Sequence, residues 1–330
     1  MIALAELHVH LEGTAPPALI ARIAERNGVA LPPGLLDGGE RFAFDDFLHF
    51  LRVYDQAASV IRTGEDYRDV TFEYLSRCAE QGAIYVELTA SPSHAAEVGL
   101  SQEEHIGGIA QGIDDARAEH GIEARILASV VRHLGSAEAQ KVATWAASHP
   151  HPYVVGFSMA GDEAGFPCPP FAPAFEIAAA AGLGCTVHAG ESAGADSVRD
   201  ALALPVTRIG HGVRSAEEPT LVEQIAERAI TLECCPTSNL ATGVYRSYAE
   251  HPLRKLHDAG VRVTLGSDDP PYFATTIEGE YDVAREHFGF DERGLCELTR
   301  TALEASFAEA GLRLELLERL DASGEREAVR

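Results

Sequence analysis

The stretch "LHVHLEG" (7–13) places two imidazoles, His8 and His10, two residues apart in a run that otherwise reads as a buried strand. On a strand, residues i and i+2 face the same way, so both rings project together. A lone H-x-H is ordinarily a half-buried strand with its polar face in water. Here it coincides with "TVHAGES" (186–192), "RIGHG" (208–212) and "LGSDDP" (265–270), which carry His188, His211 and Asp268 at the ends of three other apolar runs. Histidines together with a carboxylate form a donor set that suits a zinc ion with one position left for water. Asp268 and Asp269 are adjacent, and they repel each other unless one meets a cation or holds a proton. Glu191 follows His188 by three residues, and Gly161-Asp162-Glu163 closes another apolar run.

Positioning such groups needs several strand ends at one face. Eight short apolar, β-branched runs recur along the chain, at 2–10, 83–91, 123–131, 153–161, 184–190, 207–212, 230–238 and 261–269. Helical patterns separate them; "SQEEHIGGIAQGIDDARAEHG" starts at Ser101 as a cap and stops at Gly121. Strand–helix alternation predicts a parallel sheet, and eight units predict a closed (β/α)8 barrel, the TIM-barrel fold, in one domain over 1–330. The alternative, an open doubly wound sheet, lacks its Gly-rich fingerprint after the first strand. Residues 14–82 exceed one crossover. They read as an N-terminal helical insertion, a lid over the barrel mouth, with Phe44, Phe47, Leu48 and Leu51 as its apolar stripe. The polar tail 321–330 reads as frayed.

Composition narrows the partners. A formal charge of −25 disfavours nucleic acid and anionic membranes, and no basic block offsets it. Six cysteines without a C-x-x-C spacing, no secretory leader pattern and no run of membrane-spanning length predict a cytoplasmic protein. Cys234 and Cys235 read as packing residues. Lys141 and Lys255 fall in helical segments, which argues against a lysine-bridged binuclear site.

Six stretches, "LHVHLEG", "GFSMAGDE", "TVHAGES", "RIGHG", "CPTSN" and "LGSDDP", resemble the adenosine deaminase family of zinc aminohydrolases, in that family's order. The resemblance implies one Zn²⁺ per subunit on His8, His10, His188 and Asp268, activating a water that attacks C6 of a small-molecule 6-aminopurine. It implies Glu191 as the proton donor to N1, His211 as the group that orients the attacking oxygen, and Asp269 as the partner of N7. The Gly161 backbone is implied to meet N3, and His10 to border the substrate. The position of Glu12 is implied to read the ribose 5′-hydroxyl. Two residues depart from the common pattern: Glu12 replaces aspartate and Ser267 replaces threonine. "IGHG" and "CPTSN" favour a nucleoside, so the expected reaction is adenosine or 2′-deoxyadenosine to the inosine product plus ammonia. Adenine, or a modified nucleoside such as aminodeoxyfutalosine, is the alternative.

Overall fold

The computed structural model describes residues 2–38 and 40–328. Eight strands form its sheet: β1 (Leu4–His10), β2 (Ala83–Ala90), β3 (Glu123–Val131), β4 (Val154–Ala160), β5 (Gly184–Ala189), β6 (Arg208–His211), β7 (Thr231–Cys234) and β8 (Arg262–Leu265). They pair in sequence order and all in parallel. Both faces of such a sheet are covered, which is why the strands read as apolar runs rather than as alternations. The last strand returns to the first through a single parallel bridge, Val9 to Asp268. There the Asp268 N–H donates to the His8 carbonyl (3.1 Å) and the His10 N–H to the Asp268 carbonyl (3.0 Å). The expected (β/α)8 barrel is therefore present.

Strand β7 stops at Cys234, shorter than the expected 230–238. Pro236 cannot donate to a ladder and instead opens a helix, Pro236–Ala241, so Ser238 and Asn239 sit on helical backbone.

Between β1 and β2 the chain forms α1 (Pro17–Asn27), a two-stranded hairpin (Leu36–Asp37 with Arg41–Phe42), α2 (Phe47–Ala58) and α3 (Gly64–Glu80). Helix α3 lies in the outer ring against the later helix Gln102–His120. A Cβ at Gly108 would stand 2.1 Å from the Gly64 carbonyl oxygen, and one at Gly112 2.6 Å from Thr71, so the two glycines permit the close approach. Helix α2 instead borders the cavity, through Phe47, Phe50, Leu51 and Tyr54, and the hairpin packs beside it. Phe42 stacks on Tyr272 at 4.0 Å, and Phe50 packs on Phe273 at 5.1 Å. The expected stripe is shifted: Asp46 caps α2 by accepting the His49 N–H, so Phe44 lies before the helix. Phe50, Val53 and Ala57 take the buried face, and Leu48 is 51% exposed. At the other end, helix Ala310–Ala328 continues through most of the tail expected to fray; Val329 and Arg330 lie outside the described residues. Among the described residues, no helix is long and apolar enough to cross a membrane.

The barrel interior is not wholly apolar. Arg208, fully buried, lies 2.6 Å from Glu87 and 2.7 Å from Glu233, with its guanidinium 3.6 Å above the Phe307 ring. A buried ion pair gains little over well-packed apolar residues, but removing one partner strands the others. Arg208→Met leaves two buried carboxylates without their cation. It is expected to cost about 3–5 kcal/mol, read as a lower urea midpoint.

Candidate active site

The C-terminal ends of the strands converge on one cluster. His8 and His10 come from β1, His188 from β5, and Asp268 from the turn after β8. Their donor atoms all lie within 4.8 Å of one another. Asp268 Oδ1 stands 3.5 Å from His8 Nε2 and 3.3 Å from His10 Nε2, and His10 Nε2 is 3.0 Å from His188 Nε2. Gly210 makes the room: a Cβ there would lie 2.7 Å from the His8 ring.

Two of the rings are oriented from behind. His8 Nδ1 donates to Glu233 (2.9 Å), which leaves His8 Nε2 buried and without a hydrogen-bond partner. His188 Nδ1 donates to the Met159 carbonyl (3.1 Å), turning its Nε2 inward. Facing imidazole nitrogens beside a carboxylate fit a divalent cation, and the backing acceptors are those that fix a ligating tautomer. Burial disfavours charge on His8, but Asp268 and Glu233 on either side overcome this and push its pKa up to about 10. Burial would raise Asp268, yet His10 and His8 hold it well below the usual carboxylate range. A cation bound there would displace a proton from His8.

Around this cluster stand three further groups. Glu191 is raised well above the usual range by burial and then by the Asp268 and Glu163 carboxylates, so it holds a proton. Asp269 is raised by burial and by Asp268 and Glu191. His211 is lowered to about 3 by burial and by His8, and is neutral. Its Nε2 lies 3.6 Å from Glu191 and 4.0 Å from Asp268. The tautomer of His211 follows from a backbone amide. Leu253 N–H donates to His251 Nδ1 (3.2 Å), so His251 Nε2 donates to Asn239 Oδ1 (3.1 Å). The Asn239 amide then donates to His211 Nδ1 (3.1 Å), which puts the His211 proton on Nε2, facing the site.

The loops are held by carboxylates that the sequence reading did not assign to the site. Glu163 accepts the N–H groups of Gly190, Glu191 (3.0 Å) and Ala193 (3.2 Å). Glu6 accepts both the N–H and the hydroxyl of Ser267, each at 2.6 Å, and pairs with the Tyr74 hydroxyl. Ser238 donates to Asp268 Oδ2 at 2.6 Å. The contacts on Ser267 and Asp268 hold Asp268 (φ 64°) in the left-handed region, at about 1–3 kcal/mol; His211 (φ 57°), at the end of β6, lies in the same region. The available signals were Glu163 at the close of an apolar run and a charge inside three of the strands: Glu6 in "LAELHVH", Arg208 in "RIGH" and Glu233 in "TLEC". Cys235 lies among the donor atoms of His211 and Asp268, but burial pushes its thiol well up, so it stays protonated.

Strand β1 ends at His10, so Glu12 sits in a one-turn 3-10 helix rather than on the strand. It still lines the cavity, with His10, Gly161, His188, Glu191, His211, Asp268 and Asp269, below Phe47, Phe50, Leu51 and Tyr54 of α2. The cavity together with its open mouth spans about 630 Å³. Every residue expected at the site from sequence borders the cavity except His8, which lies beneath it.

Glu233→Gln removes the charged acceptor behind His8 while keeping its volume. Metal affinity is expected to fall about 10- to 100-fold, measured by competition with a chelating dye.

Known proteins place this arrangement. Residues 3–323 match the adenosine deaminase family. An adenine deaminase of Sinorhizobium medicae (strain WSM419) is 46% identical over 314 residues, 95% of this chain and 96% of that protein. An adenine deaminase of Chelativorans sp. (strain BNC1) is 48% identical over 322 residues, 97% and 98%. The crystal structure of an adenine deaminase from Arthrobacter aurescens superposes with a TM-score of 0.91 at 29% identity, covering 98% of this chain and all of that one. An amidohydrolase from Burkholderia ambifaria, solved with bound Zn, shares the fold (TM-score 0.88, 23% identity, 100% and 93% covered). The barrel, the converging histidines and a match over nearly the whole chain lead to one conclusion: this chain belongs to the adenosine deaminase family and is a hydrolytic deaminase.

Proposed function

We propose that the protein deaminates free adenine to hypoxanthine and ammonia, with zinc at the histidine–aspartate cluster. The names of the relatives at 46–48% identity favour the free base over the adenosine expected from sequence. The observation in this chain that carries the reading is the state of Glu12. It is 2% exposed and already accepts the Ser91 N–H (3.0 Å) and the hydroxyls of Tyr54 (3.2 Å) and Tyr67 (3.4 Å). The carboxylate expected to read a sugar is engaged by the protein itself.

A zinc ion held by His8, His10, His188 and Asp268 supplies, when bound, a water acidic enough to act as a nucleophile near neutral pH. The chain's own groups do the rest. Glu191, protonated, donates to N1 as C6 becomes tetrahedral; without that proton the ring nitrogen accumulates charge. His211 presents its Nε2–H to the oxygen added at C6. Asp269, also protonated, donates to N7, which is an acceptor. The Gly161 N–H faces N3. The C6–N bond then breaks: the amino group takes one proton of the added water and leaves as ammonia, and the other proton restores Glu191.

Two measurements test this reading. Ammonia release should give a kcat/KM for adenine at least about tenfold above that for adenosine; a preference for adenosine would refute the free-base assignment. Asn239→Asp replaces the donor to His211 Nδ1 with an acceptor and moves the imidazole proton away from the site. It is expected to lower kcat by about 10²–10⁴-fold with zinc retained, and a near wild-type rate would remove His211 from the mechanism.

A further inference from the structure

We propose that Tyr54 excludes ribosylated purines by bringing to Glu12, from within the chain, the hydroxyl that a sugar would otherwise supply. The proposal rests on the adenine reading and names the residue that enforces it. Glu12 spends its two oxygens differently. Oε1 holds the Ser91 N–H and the Tyr67 hydroxyl, both fixed parts of the barrel and its helix ring. Oε2 holds the Tyr54 hydroxyl at 3.2 Å, and Tyr54 comes from the helix that covers the mouth. A ribose hydroxyl that reached Glu12 would have to displace this phenol.

Displacement is opposed on two counts. The Tyr54 hydroxyl has Glu12 as its hydrogen-bond acceptor, and a phenol keeps its proton, and so remains a donor, near neutral pH. A displaced phenol gives up a bond to a carboxylate in a partly buried position, while the exchange of one hydroxyl for another returns no more than it removes. The ring is also wedged. A Cβ on Gly13 would lie 3.0 Å from Tyr54 Cε2, and the ring stands edge-on to His10 at 6.4 Å. Phe50, one turn earlier on the same helix, packs against Tyr272 and Phe273, which follow directly after Asp269. Carrying Tyr54 away with its helix therefore means breaking that helix's packing on the segment that follows Asp269. Adenine, without a sugar, asks nothing of Glu12.

The test is the ratio of kcat/KM for adenosine to that for adenine, measured for wild type, Tyr54→Phe and Tyr54→Ala at matched zinc content. The phenylalanine variant frees one acceptor position and should raise the ratio about tenfold; the alanine variant also removes the ring and should raise it further. A general loss of activity would lower both substrates together and leave the ratio fixed, which overturns the proposal. Should the alanine variant fail to fold, the phenylalanine variant decides alone. A wild type that prefers adenosine overturns the adenine reading and the exclusion with it. A wild type that prefers adenine, with a ratio unmoved in the variants, leaves the adenine reading standing and rejects Tyr54 as its cause.

Discussion

The cation of Arg208 at the centre of the barrel sets the conditions for the rest of the site. Between Glu87 and Glu233 it offsets two buried negative charges, and with its help Glu233 is held below the usual carboxylate range against the burial that would raise it. An ionised Glu233 can accept from His8 Nδ1, and that bond decides which nitrogen of His8 faces the cluster. Charge in the barrel floor thus becomes orientation at the barrel top. A fully aliphatic interior would pack as well, but it would leave His8 free to rotate or flip its tautomer.

The same logic, a carboxylate behind each working element, recurs around the rim. Glu163 gathers three amides of the loop that carries Glu191, and Glu6 grips Ser267 just before the two aspartates. Neither touches the reacting atoms in the proposed mechanism. Each fixes backbone beyond the end of a strand, and the grip on Ser267 adjoins Asp268, which the chain must hold in a conformation most side chains avoid.

Much of this was legible in the sequence for a physical reason. Period-two spacing placed His8 and His10 on one face, and the strand–helix rhythm implied a barrel whose strand ends meet. The supporting charges were harder to read, because a lone Glu or Arg inside an apolar run does not reveal its partner: Glu233 and His8 are 225 residues apart. Pro236 did carry a readable stop signal for β7. The covering helix was misplaced by its cap, since Asp46 rather than the spacing of the phenylalanines decides where α2 begins. The substrate was hardest of all. The family resemblance implied a sugar contact at position 12, and only the folded chain brings Tyr54 and Tyr67 onto that carboxylate.

The seam of the barrel has a thermodynamic side. The first and last strands meet through Asp268, whose backbone makes the closing bonds while its side chain belongs to the donor cluster. An ion bound there ties residue 8 to residue 268 as a cross-link would, and it does so at the point where the sheet has fewest bonds of its own. Metal occupancy and barrel closure are then one linked equilibrium. Free metal at a thousand times its dissociation constant contributes about 4 kcal/mol to the folded state. Chelation would accordingly act on the fold as well as on the chemistry, loosening the sheet at the seam between its two ends.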